Sequence, residues 1–500
     1  MVLVSVLLFG LGCDGVGLDV KFDPPVPTDG VVTTSEPTTT PTLPTAETTP
    51  PPTSGKGDPE DLAAGLTLTR VTLNQSVQTT LYDAAGVEQN LAPPVAGRDG
   101  LLRLFVELDS GFQSRAIDAV LTIEQEDGTT EILTVTETVD TDSIDSTLDS
   151  TLNFELTAEQ LLASTELYVE LREGAATGPG NGDVASTSWD SAVAPDGLDL
   201  ANSGDITIVI VPVRYNADGS GRLPDTGQSA MDELQERVAA LYPTTDVVIR
   251  VDPPFEWANV VDGNSGWGEL LDAIAEMRLG ASEAPATFYY GLFMPADTFS
   301  QFCGLGCTTG ISYVGTSPDY DYLKSSIGVG FNEYDIATST LLHEVGHALG
   351  RFHAPCGVGT QEYFPHNDAR LGRWGYDRNN GELLDPADYR DIMSYCSPNW
   401  ISDYNYEQLR DRLEYYASAP LLQTVDRTRL TLGARGKTGV AGTVSVAGVV
   451  AGERIEVQLF NALGDPAGVV MGSLFPYSHA VGGSVLLDQV LAPGWTAQVL

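Results

Sequence analysis

The chain has 500 residues, with 69 acidic side chains against 25 basic ones and a formal net charge of −44. That length exceeds one ordinary core, so two or three folded domains are expected, and so acidic a surface repels a phosphate backbone, which excludes nucleic acid as a partner. No Asp-x-Asp-x-Asp-Gly type loop gives the charge a calcium-binding purpose, so it reads as the solvated surface of an exported protein.

Residues 1–13 open the chain with an apolar run, Met1 to Gly12, ending in Leu11-Gly12-Cys13. The run is too short to span a bilayer as a helix but suits the core of an export signal. It resembles a bacterial lipoprotein signal, which implies a lipid anchor to a membrane at Cys13; an ordinary cleaved signal is the rival reading. Residues 14–59 follow as a linker, dominated by Thr, Pro and Ser between Pro24 and Pro59. Such composition buries almost nothing and is expected to stay disordered. Extended, it would reach roughly 100 Å at ~3 Å per residue, enough to hold a folded body clear of a membrane.

Residues 60–200 read as a β-sandwich-like domain, either an accessory module or a pro-region. Strands are expected at Leu101–Leu108, Val120–Ile123, Ile132–Val135 and Leu167–Leu171, with Asp127-Gly128 as a hairpin turn. Residues 201–424 alternate strands and helices. Asp205–Val211, Val247–Val251, Thr287–Phe293 and Ser326–Phe331 have strand patterns. Met231, Leu234, Val238 and Leu241 recur at helical spacing, as do Trp267, Leu270, Leu271 and Ile274. This order implies a mixed twisted sheet with crossover helices, an α+β domain. A helix is expected over Ile336–Leu349 with Asp335 as its N-cap, and a closing amphipathic helix at Tyr406, Leu409, Leu413 and Tyr416. Residues 425–500 form a small β module, in which Ile455, Val457 and Leu459 alternate with polar residues.

The chemistry lies in His343-Glu344-Val345-Gly346-His347, which places two imidazoles at i and i+4, on one helix face and in reach of one ion. The pattern continues through Gly350 to His353, completing HExxHxxGxxH. The chain has five histidines, and three of them fall in this window, so chance is an inadequate explanation. Gly350 can take a left-handed conformation, end the helix and return the chain so that His353 reaches the ion. Three neutral imidazoles leave a zinc position open, the arrangement of a catalytic site. Glu344 is placed to take a proton from a water that zinc acidifies, as general base.

The extended motif resembles the metzincin clan of zinc peptidases, and Asp391-Ile392-Met393-Ser394-Tyr395 looks like the clan's methionine turn. The resemblance covers roughly residues 205 to 420 and is of the exported bacterial type, with no close subfamily. It implies a zinc-dependent endopeptidase (a hydrolase) that acts on extracellular proteins or peptides. Met393 would pack beneath the three histidines, and Tyr395 would support the oxyanion as a catalytic residue. The resemblance further implies a substrate-binding edge strand, placed at Ser326–Phe331. No cysteine-switch propeptide motif is present.

Apart from Cys13, four cysteines remain, Cys303, Cys307, Cys356 and Cys396, which allow three pairings. Cys303–Cys307 and Cys356–Cys396 are favoured, because the second pair follows the two site motifs closely; a second structural zinc is the rival. His366 and His479 belong to no ligand pattern and read as surface or structural residues.

Overall fold

The computed structural model describes residues 61–86, 92–174, 182–194, 198–263, 265–304, 307–360, 363–419, 424–433, 438–447 and 452–500. The export-signal and lipid-anchor readings at residues 1–13, Cys13 included, and the linker at 14–59 lie outside the described residues.

The first described region holds two four-stranded antiparallel sheets. One runs Gln78–Asp83, Leu66–Asn74, Gly100–Leu108, Leu152–Leu156, and the other Thr130–Val139, Arg115–Glu124, Glu166–Glu173, Ser188–Asp190. Alternation builds the second sheet: Ile117, Ala119, Leu121 and Ile123 are buried while their neighbours are not. These side chains meet Leu68, Leu102 and Leu104 of the first sheet in one core. The hairpin between Arg115–Glu124 and Thr130–Val139 turns at Gly128, whose φ of 82° suits a residue without a Cβ.

The central region is a sheet with helices on both faces. Its main elements are β1 (Ile206–Tyr215), α1 (Gln228–Leu241), β2 (Val247–Val251), α2 (Trp267–Gly280), β3 (Thr287–Phe293), β4 (Gly310–Ser312), β5 (Ser325–Val329), α3 (Ile336–Ala348) and α4 (Asp403–Ser418). The strand order is β2-β1-β3-β5-β4. The first four strands are mutually parallel, and β4 runs antiparallel on the outer side of β5. Successive side chains of β1 point to opposite faces. Ile206, Ile208 and Ile210 join Val238 of α1, Val345 of α3 and Leu409 of α4 on one side. Val209, Val211 and Val213 join Leu270 and Ile274 of α2 on the other.

One local expectation is met in position only, and one needs correction. Asp335 stands at the N-cap of α3, but with φ 56° its side chain makes no capping hydrogen bond. The edge strand is β4, not the strand at 326–331, because Gly310–Ser312 covers the outer side of β5.

The final region is one six-stranded antiparallel sheet ordered Thr438–Ala447, Thr424–Leu432, Gly483–Leu487, Pro466–Pro476, Glu453–Phe460, Thr496–Val499. Strand Gly483–Leu487 is buried throughout, because both of its faces are covered. Val485 and Leu487 enter the sheet's own core with Val457 and Leu459, while Leu486 and Phe475 pack with Leu270 and Ile274 of α2. Asp272 of α2 fastens this contact. It accepts hydrogen bonds from Thr431 Oγ1 at 2.9 Å, from Tyr477 Oη at 3.1 Å and from Tyr313 Oη.

The first region is likewise built into the centre. Val77 packs in the core that holds Leu341, and Ser76 Oγ donates to the Ala240 carbonyl at 2.6 Å. Trp400 Nε1 donates to the Ser76 carbonyl at 2.8 Å. Arg98 is buried at the C-terminal end of α1 and donates to the carbonyls of Ala240 at 3.3 Å, Thr244 at 3.2 Å and Tyr242. A cation there satisfies carbonyls that the helix leaves without partners.

Candidate metal centre

Helix α3 carries His343 and His347 on one face, with ring centroids 4.8 Å apart. The helix ends at once afterwards. Gly350 has φ 92°, its N–H donates to the His347 carbonyl at 2.8 Å, and the Arg351 N–H donates to the Gly346 carbonyl at 2.9 Å. A Cβ on Gly350 would also lie 2.7 Å from Arg412 Nη2 and 2.9 Å from the Gly315 oxygen, so only glycine fits. The reversed chain brings His353 back, and its Nε2 stands 3.2 Å from His347 Nε2.

Backbone carbonyls fix the ring tautomers. His343 Nδ1 faces the Ile392 oxygen at 2.7 Å, and His347 Nδ1 faces the Arg351 oxygen at 2.6 Å. A ring nitrogen that faces a carbonyl must carry the proton, which leaves each Nε2 as a lone pair directed inward. Among the described residues, His343 Nε2 is buried without a hydrogen-bond partner. Burial holds His343 down at about 4 and His353 at about 2, and pushes His347 well below the ordinary 6.5. All three rings are therefore neutral at pH 7, the state that a metal ligand requires.

The turn at Asp391 supports this centre. The buried Asp391 carboxylate accepts from Met393 N at 2.7 Å, Ser402 N at 2.9 Å and Asn405 Nδ2 at 2.7 Å. That fixed turn supplies the Ile392 oxygen to His343, and its Met393 carbonyl accepts from Ala354 N at 2.9 Å, beside His353. The cysteines pair as Cys303–Cys307 and Cys356–Cys396, the second joining the loop after His353 to the turn.

Glu344 is 2% exposed. Edge strand β4 passes directly over it. A Cβ on Gly310 would fall 2.7 Å from Glu344 Cγ, so this strand can approach only as glycine. Tyr395 lies at the rim, its ring 5.3 Å from that of His353.

One residue arrives that sequence reasoning set aside. His479, in the turn between Pro466–Pro476 and Gly483–Leu487, joins His343, His347 and His353 in a cluster whose ligand atoms all lie within 4.8 Å of one another. Its Nε2 is 3.1 Å from Glu344 Oε1 without forming a hydrogen bond, and its Nδ1 meets the Tyr395 hydroxyl. Only the scarcity of histidine in the chain pointed to it. His366 does prove structural, bonded to Asp403 Oδ1 at 2.5 Å.

The four-histidine cluster could hold a metal ion, its ligand atoms lying within 4.8 Å of one another. Two nitrogens at ~2.05 Å on one tetrahedral zinc stand about 3.3 Å apart, close to the separation of His347 and His353.

Residues 324–410 match the family model of Peptidase M66. The matched span contains the three histidines, Glu344, Met393 and Tyr395, and it supports a peptidase of a metallopeptidase family. No curated protein matches the chain significantly. Among solved structures, the chain is similar to a chaperone–substrate complex at 13% identity and a TM-score of 0.22, covering 53% of this chain and 39% of that one. It is also similar to a calcium-binding mutant of Bacteroides uniformis beta-glucuronidase 2, at 11% identity and a TM-score of 0.13, covering 46% and 28%. The chain thus spans well under half the length of either, and likenesses this weak carry no argument about its fold.

Proposed function

We propose that the protein is a zinc-dependent endopeptidase of metzincin type that cleaves extracellular proteins, exported and held at a cell surface through a lipid at Cys13. The observation that carries this reading is the convergence of His343, His347 and His353, two with Nε2 lone pairs fixed inward, in one cluster with His479, whose Nε2 is 3.1 Å from the Glu344 carboxylate. The match to a metallopeptidase family over the same residues supports it, and the two cysteine pairs favour an oxidising compartment.

The three imidazoles would hold the ion; when bound, zinc supplies Lewis acidity, acidifying a water and polarising a carbonyl. An extended substrate lies antiparallel against the outer edge of β4, its backbone bonded to that of Ser312. Glu344 takes a proton from the attacking water as its oxygen bonds to the scissile carbonyl carbon. The same carboxylate then delivers that proton to the nitrogen as the carbon–nitrogen bond breaks. Tyr395 donates a hydrogen bond from its hydroxyl to the oxyanion once freed from its present partner.

The test is digestion of an unfolded protein by the chain, with Glu344→Gln as control. Cleavage should stop with a chelator, return with zinc, and fall by at least about 10³-fold in the variant, as expected for loss of a general base. A Glu344→Gln protein that retains wild-type cleavage would overturn this reading.

A further inference from the structure

The turn that carries His479 does more than approach the site. Its backbone adds to the free edge of β4: Ser478 N donates to the Ser312 oxygen at 2.8 Å, Ser312 N donates to Ser478 Oγ at 2.9 Å, and Tyr477 bridges Tyr313 in antiparallel register. This is the edge on which an extended substrate would lie. Ser478 Oγ also donates to Glu344 Oε2 at 3.2 Å, and His479 Nε2 sits 3.1 Å from Glu344 Oε1. The Tyr395 hydroxyl bonds His479 Nδ1. Substrate edge, general base, rim tyrosine and metal position are therefore all engaged by three consecutive residues.

We propose that the Tyr477-Ser478-His479 turn is an intramolecular plug: His479 is a fourth protein ligand that closes the zinc shell, and the chain in this arrangement is latent. A catalytic zinc site keeps a position for water, whereas four protein ligands make a closed site. With His479 as the fourth ligand, a tetrahedral shell would have no position left for water. Activation consists of withdrawing the turn from β4. The contact that governs withdrawal lies away from the ion, at Asp272, which holds Tyr477 and Thr431 of the plug's sheet against α2. The plug is anchored as a substrate would be, by strand addition, with an imidazole in place of the scissile group. Its consequence for cleavage rests on the peptidase reading above; its occupancy of the metal does not.

The experiment compares the full chain with His479→Ala and with Asp272→Ala, a substitution that leaves all four histidines in place. Two quantities are measured on zinc-loaded protein, the affinity for acetohydroxamate by titration calorimetry and the rate of cleavage of an unfolded protein. Both variants should bind the hydroxamate about tenfold more tightly or better, the ratio that ~1.4 kcal/mol confers, and cleave faster by a similar factor. Cobalt-loaded His479→Ala should also show a visible spectrum that responds to added anions, where the wild type does not. Unchanged hydroxamate affinity in both variants overturns the plug. Loss of cleavage in His479→Ala at unchanged hydroxamate affinity overturns it too, and makes His479 a productive catalytic residue. Tighter hydroxamate binding with no cleavage by any form sustains the plug and sinks the peptidase reading alone.

Discussion

Gly346 of helix α3 and Met393 of the supporting turn are in such close contact that a Cβ on the glycine would lie 2.6 Å from the methionine sulfur. The helix that carries His343 and His347 thus rests on the turn whose Ile392 carbonyl orients His343. Gly346→Ala should cost about 1–3 kcal/mol through overpacking and loosen that orientation. Thermal denaturation and zinc titration check this. Lowered stability with full zinc affinity would separate the methionine's packing from the ligand geometry.

Arg98 reaches from the first region into the end of α1 and donates to Ser76 Oγ at 2.7 Å as well as to the helix carbonyls. Removing a buried cation there strands several carbonyls together. Arg98→Ala should therefore cost about 3 kcal/mol, measured by urea unfolding. For the same reason, excising residues 60–200 should unfold the centre.

Metal-stripped protein should be sensitive to acid. Burial sets His343 at about 4 and His353 at about 2, below their ordinary 6.5. Between those values the unfolded chain binds more protons than the folded one, so stability rises with pH. The contribution of the neutral rings is complete above 6.5 and is lost as pH falls through about 4. Tm should drop by several degrees from pH ~7 to pH ~5 in the stripped protein, and less in the zinc form, where the ion competes with protons. Equal slopes in the two forms would show that other groups dominate.

The Cys356–Cys396 bridge closes a loop of sequence separation 40 that includes the turn at Met393. Replacing both cysteines by serine should cost up to about 4 kcal/mol by the chain-entropy argument and weaken zinc binding, since His353 and the turn would lose their shared tie. Denaturant unfolding and zinc titration of the double variant test it.

The convergence of His343, His347 and His353 and the turn at Gly350 were legible because each imposes a residue type at a fixed local spacing. Helix α3 and strand β3 were legible from their apolar patterns. Strand β4 was not, since Gly310–Ser312 is three residues long and has neither a β-branched run nor a period. Its glycine reflects the space taken by Glu344, a contact that local sequence does not report. His479 was hidden for a related reason: its neighbour Ser478 meets Glu344 across 134 residues. Such a meeting depends on how two sheets pack, and no spacing rule covers that. Nor did composition show that Ser76 and Arg98 would be part of the central core.

The turn at Tyr477–His479 is covalently attached to the cleft that it fills, so competition for that cleft does not depend on protein concentration. A tethered occupant acts at an effective concentration of order mM or above. Contacts too weak to hold a free tripeptide then suffice to keep the cleft full. A short peptide, however abundant, competes poorly, whereas a long chain that gains affinity along the whole of β4 and beyond can displace the turn by mass action. Selection for extended protein chains over small peptides would follow from this tether before any specificity pocket was consulted.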